Sequence, residues 1–207
     1  MPYEIVIQDP VEQVAPGTSY FWDAPQLPPE LSYPFFKDEA GQPFPYTFIC
    51  QINCADLQSG MPEESLPEQG MLYFFGDIDY FLGYTDSSSH GLGRWDKGVC
   101  VLYADVADHR LVRYNPFSEE ETVPPHPAMI TFQQNPGSGH RIGGLPYEVD
   151  VLENFPKGWQ LLFQLDCDEN EQFNLQFYDM GLLYFMIEGV KLKKRDFSGV
   201  TAFLTSM

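Results

Sequence analysis

The sequence predicts a mainly β fold, an α+β chain with few short helices, in which internally duplicated, pseudo-symmetric sheet halves share one core. Three observations carry this. Phe, Tyr and Trp make up 15% of the 207 residues, beside 18 Pro and 17 Gly, a composition that favours strands and turns over helices. Apolar runs of strand length recur between polar stretches punctuated by Gly and Pro. One strand–loop–strand pattern occurs twice, in the same order.

The first 45 residues hold Pro25, Pro28, Pro29, Pro34, Pro43 and Pro45. Proline cannot donate to a sheet ladder, so this stretch is expected to wrap the surface as extended or looping chain. Tyr46 to Cys54 is a compact run with β-branched and aromatic members and reads as a strand. Ala55 to Gln58 suits a short helical turn, and Pro62 to Gly70 a polar loop. Met71 to Phe75 and Val99 to Ala104 are the second and third buried strands. Residues 115–139 carry Glu119, Glu120, Glu121, Pro124, Pro125, Pro127, Gly137 and Gly139, the composition of a connection between halves.

The repeat fixes the organisation. Phe48 to Cys54 matches Leu161 to Cys167, with Gln51 and Gln164 at the strand centres. Gly70-Met71-Leu72-Tyr73-Phe74-Phe75 matches Gly181-Leu182-Leu183-Tyr184-Phe185-Met186. The offsets, 113 and 111 residues, are nearly constant. Neither copy buries its own apolar strands, so the copies are expected to share one core. The chain then reads as a single domain over residues 1–207, with halves of about 20–114 and 140–207 joined by 115–139.

These motifs carry a resemblance. Gln51, Ile52 and Asn53, then Leu66, Pro67, Gly70, Leu72, Tyr73, Phe74 and Phe75, resemble the first half of the YwqG-like family. His140-Arg141-Ile142-Gly143-Gly144-Leu145-Pro146, the two strands that follow it, and the closing Asp196-Phe197-Ser198 resemble its second half. The resemblance covers about residues 20–204 and implies a cytoplasmic, largely β fold with pseudo-symmetry and no stated reaction. One departure stands out: where the family's first half carries its own Gly-Gly-x-Pro entry, this chain reads Trp22-Asp23-Ala24-Pro25.

The formal charge is −19. Residues 1–93 hold one basic residue, Lys37, against fourteen acidic ones, and residues 94–207 hold ten basic and sixteen acidic. Such a field repels nucleic acid and anionic membrane surfaces and attracts cations or a basic protein; solubility alone also accounts for it. The N-terminus lacks a basic region before an apolar run, and no stretch approaches about 18 apolar residues. A cytoplasmic location is therefore expected, with Cys50, Cys54, Cys100 and Cys167 as free thiols and Cys50 and Cys54 on one face of a strand.

The residues expected to bind a ligand are His140, Arg141, Gly143, Gly144, Gln51 and Gln164. Glycines let a backbone approach a ligand, and a His and an Arg beside them supply a proton and an anion clamp. The same motif also reads as a tight turn with a capping His. Each Gln, an amide inside an apolar strand, must find partners: loop backbone, which would fix the halves together, or a ligand. Asp166-Cys167-Asp168-Glu169-Asn170 begins like a calcium loop but holds Glu171 at the Gly position and Phe177 at the closing Glu position, so it reads as a solvated turn. Asp77 and Asp79, with Asp86 nearby, suit a solvated sheet edge or weak cation capture. His90, His109 and His126 are scattered, and no zinc spacing or nucleophile elbow exists. No metal, cofactor or catalytic constellation is therefore expected. The basic cluster Lys191-x-Lys193-Lys194-Arg195 suits the chain's own acidic face or a subunit neighbour better than nucleic acid. Two functions fit: a non-catalytic binding protein, such as an acidic immunity protein masking a basic partner, or a ligand-binding protein or enzyme with its site between the halves.

Overall fold

The computed structural model describes residues 3–38, 40–57, 66–78, 90–105, 110–116, 126–134, 137, 139–169 and 174–206. In chain order the described strands are β1 (Tyr3–Pro10), β2 (Tyr20–Phe21), β3 (Gln26–Leu27), β4 (Phe35–Lys37), β5 (Pro43–Pro45), β6 (Thr47–Asn53), β7 (Met71–Gly76), β8 (Gly93–Trp95) and β9 (Val99–Ala104). They continue with β10 (Val112–Arg113), β11 (Ala128–Gln134), β12 (Arg141–Ile142), β13 (Trp159–Leu165), β14 (Asp168–Glu169), β15 (Asn174–Leu175), β16 (Leu183–Glu188) and β17 (Thr201–Leu204). The short helix α1 (Gly189–Lys193) precedes β17. The fold is mainly β, as expected.

Eleven strands form one sheet in the order β8-β17-β16-β13-β12-β1-β11-β2-β6-β7-β9. Every neighbouring pair in it is antiparallel. Ten antiparallel steps separate β8 from β9, so the two run in the same direction. Only residues 96–98 join them, far too few for a parallel crossover. They are two lengths of one bent strand that pairs first with β17 and then with β7, and the sheet curls nearly to closure around it.

The curl encloses the main core. Phe74 of β7 meets Phe163 of β13 at 4.5 Å and Phe185 of β16 at 5.8 Å between ring centroids. Two smaller clusters lie on the outer face. Tyr20, Phe48, Tyr73 and Phe75 are covered by Leu27 and Tyr33; Leu161, Tyr184 and Met186 are covered by Val151 and Phe155.

The two ends of the sheet match pair for pair. Gln51 lies opposite Tyr73, with a bulge between Phe48 and Cys50. Gln164 lies opposite Tyr184, with a bulge between Leu161 and Phe163. On the other side Tyr20 faces Gln51 and Arg141 faces Gln164. At the centre β1 and β11 pair through Val6↔Thr131, flanked by Ile5↔Phe132 and Ile7↔Ile130. β1 also pairs with β12, and β11 with β2.

Four sequence expectations need correction. The N-terminal stretch does not only wrap the surface: β1 sits mid-sheet with Tyr3 and Ile5 buried, and Tyr20, Phe21 and Trp22 are fully buried. Pro25, Pro28, Pro29, Pro34, Pro43 and Pro45 all lie beyond β1, which ends at Pro10, and the alternation of Ile5 and Ile7 is its strand signal. Residues 115–139 are not all connection, because 128–134 form β11. Cys54 leaves the strand to begin a 3-10 turn over Cys54–Leu57, although it shares the core with Cys50. Asp168 is no solvated turn residue; it pairs in β14 and accepts a bond from Trp22 Nε1 at 3.0 Å. All four cysteines are free thiols, with Cys50 and Cys54 buried. Asp79, Asp86, His109, the Glu119–Glu121 run, Asn170 and Glu171 lie outside the described residues.

Candidate functional site

The bent strand is flanked by two clefts, and the larger opens on its β7 side. Where β7 ends at Gly76, the chain peels away from the bend, held once more by the Asp77 N–H donating to the Gly98 carbonyl at 2.7 Å. The opening is a cleft of about 810 Å³.

One wall is aromatic. The β4–β5 hairpin pairs Phe36 with Phe44. Phe36 lies 6.2 Å from Phe44 and 4.9 Å from Tyr46, centroid to centroid. The hairpin closes through Asp38, whose carboxylate accepts from the Gln42 N–H at 2.7 Å, and through Gly41 at φ +80°, a conformation that suits a residue without Cβ. Phe44 is half exposed, an apolar face offered to solvent. Burial above all, with the neighbouring Cys100 thiol next, pushes the Tyr46 phenol up, so it stays protonated.

The opposite wall is polar. His90 Nε2 lies 3.0 Å from Asp77 Oδ2. The imidazole stacks on Trp95 at 4.9 Å, and Trp95 is fixed by donating to the Gly91 carbonyl at 2.7 Å. Gly98 makes this seat possible: a Cβ there would collide with the His90 ring, and its φ of +99° suits only glycine. Lys37 and Lys97 complete the rim, both exposed. Lys37 is the single basic residue of residues 1–93. The arrangement can hold an anionic group between two ammonium ions, a planar apolar group against Phe36 and Phe44, and a hydroxyl against the Asp77–His90 pair.

The six residues singled out from sequence lie elsewhere. Gln51 and Gln164 are fully buried beneath different loops. Five strand steps separate them, about 24 Å along the sheet. The Gln51 side chain accepts from the Gln26 N–H at 2.9 Å and donates to the Thr18 carbonyl at 2.9 Å. Gln164 accepts from the Tyr147 N–H at 3.0 Å and donates to the Gly139 carbonyl at 2.8 Å. Each Gln thus anchors a nearby loop segment through its amide. Gly143 and Gly144 form a tight turn at φ +68° and +73°, and Trp22 and Asp23 take the same turn at +63° and +64°. Trp22 bonds to Asp168, and Asp23 to Arg113 through both carboxylate oxygens. The departure from Gly-Gly therefore keeps the backbone and adds side-chain anchors. Arg141 is buried, donating through its terminal nitrogens to the Leu145 and Gly137 carbonyls, with its guanidinium 5.7 Å from the Tyr147 ring and its Nε without a hydrogen-bond partner among the described residues.

His140 is buried, and its Nδ1 accepts from the Asp166 N–H at 3.0 Å. Burial lowers its pKa to about 4. Between pH 6.5 and about 4 the unfolded chain binds a proton there that the folded chain does not. Stability therefore falls as pH drops through this window, by about 3 kcal/mol in all. Urea unfolding of wild type and His140→Gln at pH 7 and pH 4.5 checks this. The variant should lose less stability on acidification, and equal losses would count against a buried neutral imidazole.

Lys37, Lys97 and His90 were missed as site residues because they are far apart in sequence. In the sequence Asp77 reads as a solvated edge carboxylate or a weak cation-capture residue, and neither reading points to this cleft. The available signal was Lys37, an isolated cation in a long acidic stretch. A family model described as a domain of unknown function (DUF1963) matches residues 23–134 and again residues 117–205. No curated protein matches the chain. No described helix is long and apolar enough to cross a membrane.

Proposed function

The chain belongs to the DUF1963 family, and we propose that it is a binding protein for a small anionic ligand bearing a planar apolar group. The observation that carries this reading is one cleft lined by Lys37 and Lys97 together with Phe36, Phe44 and the Asp77–His90 pair. Such a pocket, apolar with a few convergent polar groups, is the usual form of a ligand site. The anionic end sits at the two ammonium groups and the planar end against Phe36 and Phe44.

The probe is 1-naphthyl phosphate, titrated calorimetrically beside inorganic phosphate and 1-naphthalenemethanol. The phosphate ester should bind more tightly than either half. Lys37→Ala and Lys97→Ala should each weaken it about tenfold, and Phe44→Ala should weaken both naphthyl compounds. Binding unchanged in both Lys variants would sink the reading.

The paired registers support a further part of it: the two halves are copies of one unit that have exchanged their first strands, in a YwqG-like member of the family working in the cytoplasm. The acidic surface supports a compatible role, the capture of a basic protein, whose association would slow with added salt. An association rate indifferent to salt would remove that role.

A further inference from the structure

The second cleft lies on the other side of the bend. It measures about 410 Å³ and runs between β9 and residues 195–200. Here β17 begins at Thr201, and the chain before it has splayed away from β9. Among the described residues no backbone hydrogen bond joins 99–104 to 195–200. Phe197 fills the floor, 5.7 Å from the Tyr103 ring. Among the described residues one edge of β9 is thus open along an apolar strand, Val99-Cys100-Val101-Leu102-Tyr103-Ala104, with none of the Lys or Pro that guard free edges.

The other end of the sheet shows what such an edge accepts. Leu72 pairs with Tyr103 as Leu183 pairs with Leu204, so β9 corresponds to β17. β17 carries an added antiparallel strand: Leu204↔Gly93, Phe203↔Arg94, Ala202↔Trp95. Trp95, opposite Ala202, is buried, while Arg94 beside it is exposed. Among the described residues β9 has no such neighbour in its corresponding place.

Charge says which occupant fits. Arg195 lines this cleft beside Asp196, and Lys191 and Lys194 lie within electrostatic reach of that carboxylate, in a chain of net charge −19. Arg195 spans the opening, bonded to Tyr103 Oη at 3.3 Å and 3.8 Å from Asp105. We propose that the open edge of β9 takes an extended acidic segment of another protein as an added antiparallel strand. An apolar side chain opposite Val101 enters toward Phe197, and acidic side chains meet Lys194 and Arg195. The backbone bonds give affinity and the alternation gives selectivity.

The test uses the full chain and a fluorescein-labelled, capped eight-residue peptide alternating Glu and Val. Two controls are the same peptide N-methylated at alternate amides and a Lys–Val counterpart. The acidic peptide should bind, with Kd rising about tenfold in Lys194→Glu or Arg195→Glu. Both controls should bind at least tenfold more weakly. Equal binding of the N-methylated peptide would reduce the contact to charge alone and overturn strand addition. Equal binding of the Lys–Val peptide would overturn the acidic preference. No binding, or a chain dimer in sedimentation that the peptide fails to dissociate, would overturn the proposal altogether. Lys37→Ala should leave peptide binding untouched, which separates this outcome from any result at the other cleft.

Discussion

Removing residues 1–10 should leave a chain with no cooperative unfolding transition. β1 is paired on both sides, with β11 and with β12. Its loss opens a gap at the middle of the sheet and leaves β11 joined to the rest through two residue pairs with β2. Tyr3 and Ile5 leave the core, at about 1.5–3 kcal/mol for each large apolar side chain. The ladder bonds add about 0.5–1.5 kcal/mol apiece. Together these match the whole stability of a typical domain, about 5–15 kcal/mol. The measurement is thermal and urea unfolding followed by circular dichroism. A sigmoidal melt within about 5 °C of the full chain would show that β1 is dispensable.

Gly181→Ala should destabilise strongly, and Gly70→Ala nearly as much. The two occupy matching places in the repeated Gly-x-Leu-Tyr-Phe pattern. A Cβ at Gly181 would strike the Thr205 and Phe177 carbonyl oxygens. At Gly70 it would lie 2.6 Å from the Ala104 carbonyl oxygen, with φ at +90°. Both obstacles are backbone of a paired strand or its flank, which cannot swing aside. We expect a cost of about 3–4 kcal/mol for each, a fall in Tm of about 10 °C for a chain this size. Gly139→Ala, where a Cβ meets nothing within 4 Å, is the control and should melt like wild type. A Gly181→Ala melt within 2–3 °C of wild type would contradict this account.

The strands β6, β7, β9, β13 and β16 were legible because each is a largely apolar run of strand length bounded by turn residues. The Gln–Tyr correspondence was legible because side chains of fixed spacing must sit at fixed register. What sequence could not show was partnership across long separations. Nothing local in Tyr3–Pro10 says that it pairs with residues 128–142, and β2 and β12 are too short to give a period. The cleft was illegible for the same reason: Lys37, Asp77, His90 and Lys97 meet only once the sheet has curled. Gln51 and Gln164 are prominent because they recur at the strand centres, and each anchors a loop.

The pairing of β1 also sets a timetable for the nascent chain. Tyr3 leaves the ribosome well before its partners Gln134 and Ile142, which follow by 131 and 139 residues. At about 5–20 residues per second that is a delay of roughly 7–28 s. Throughout it the alternating Tyr3-Glu4-Ile5-Val6-Ile7 segment has both edges unsatisfied, the condition in which strands find wrong partners. Translation speed through residues 10–142, or a holdase bound to the first ten residues, therefore governs the yield of native protein. Slowing synthesis there should lower that yield even though it leaves the finished molecule unchanged.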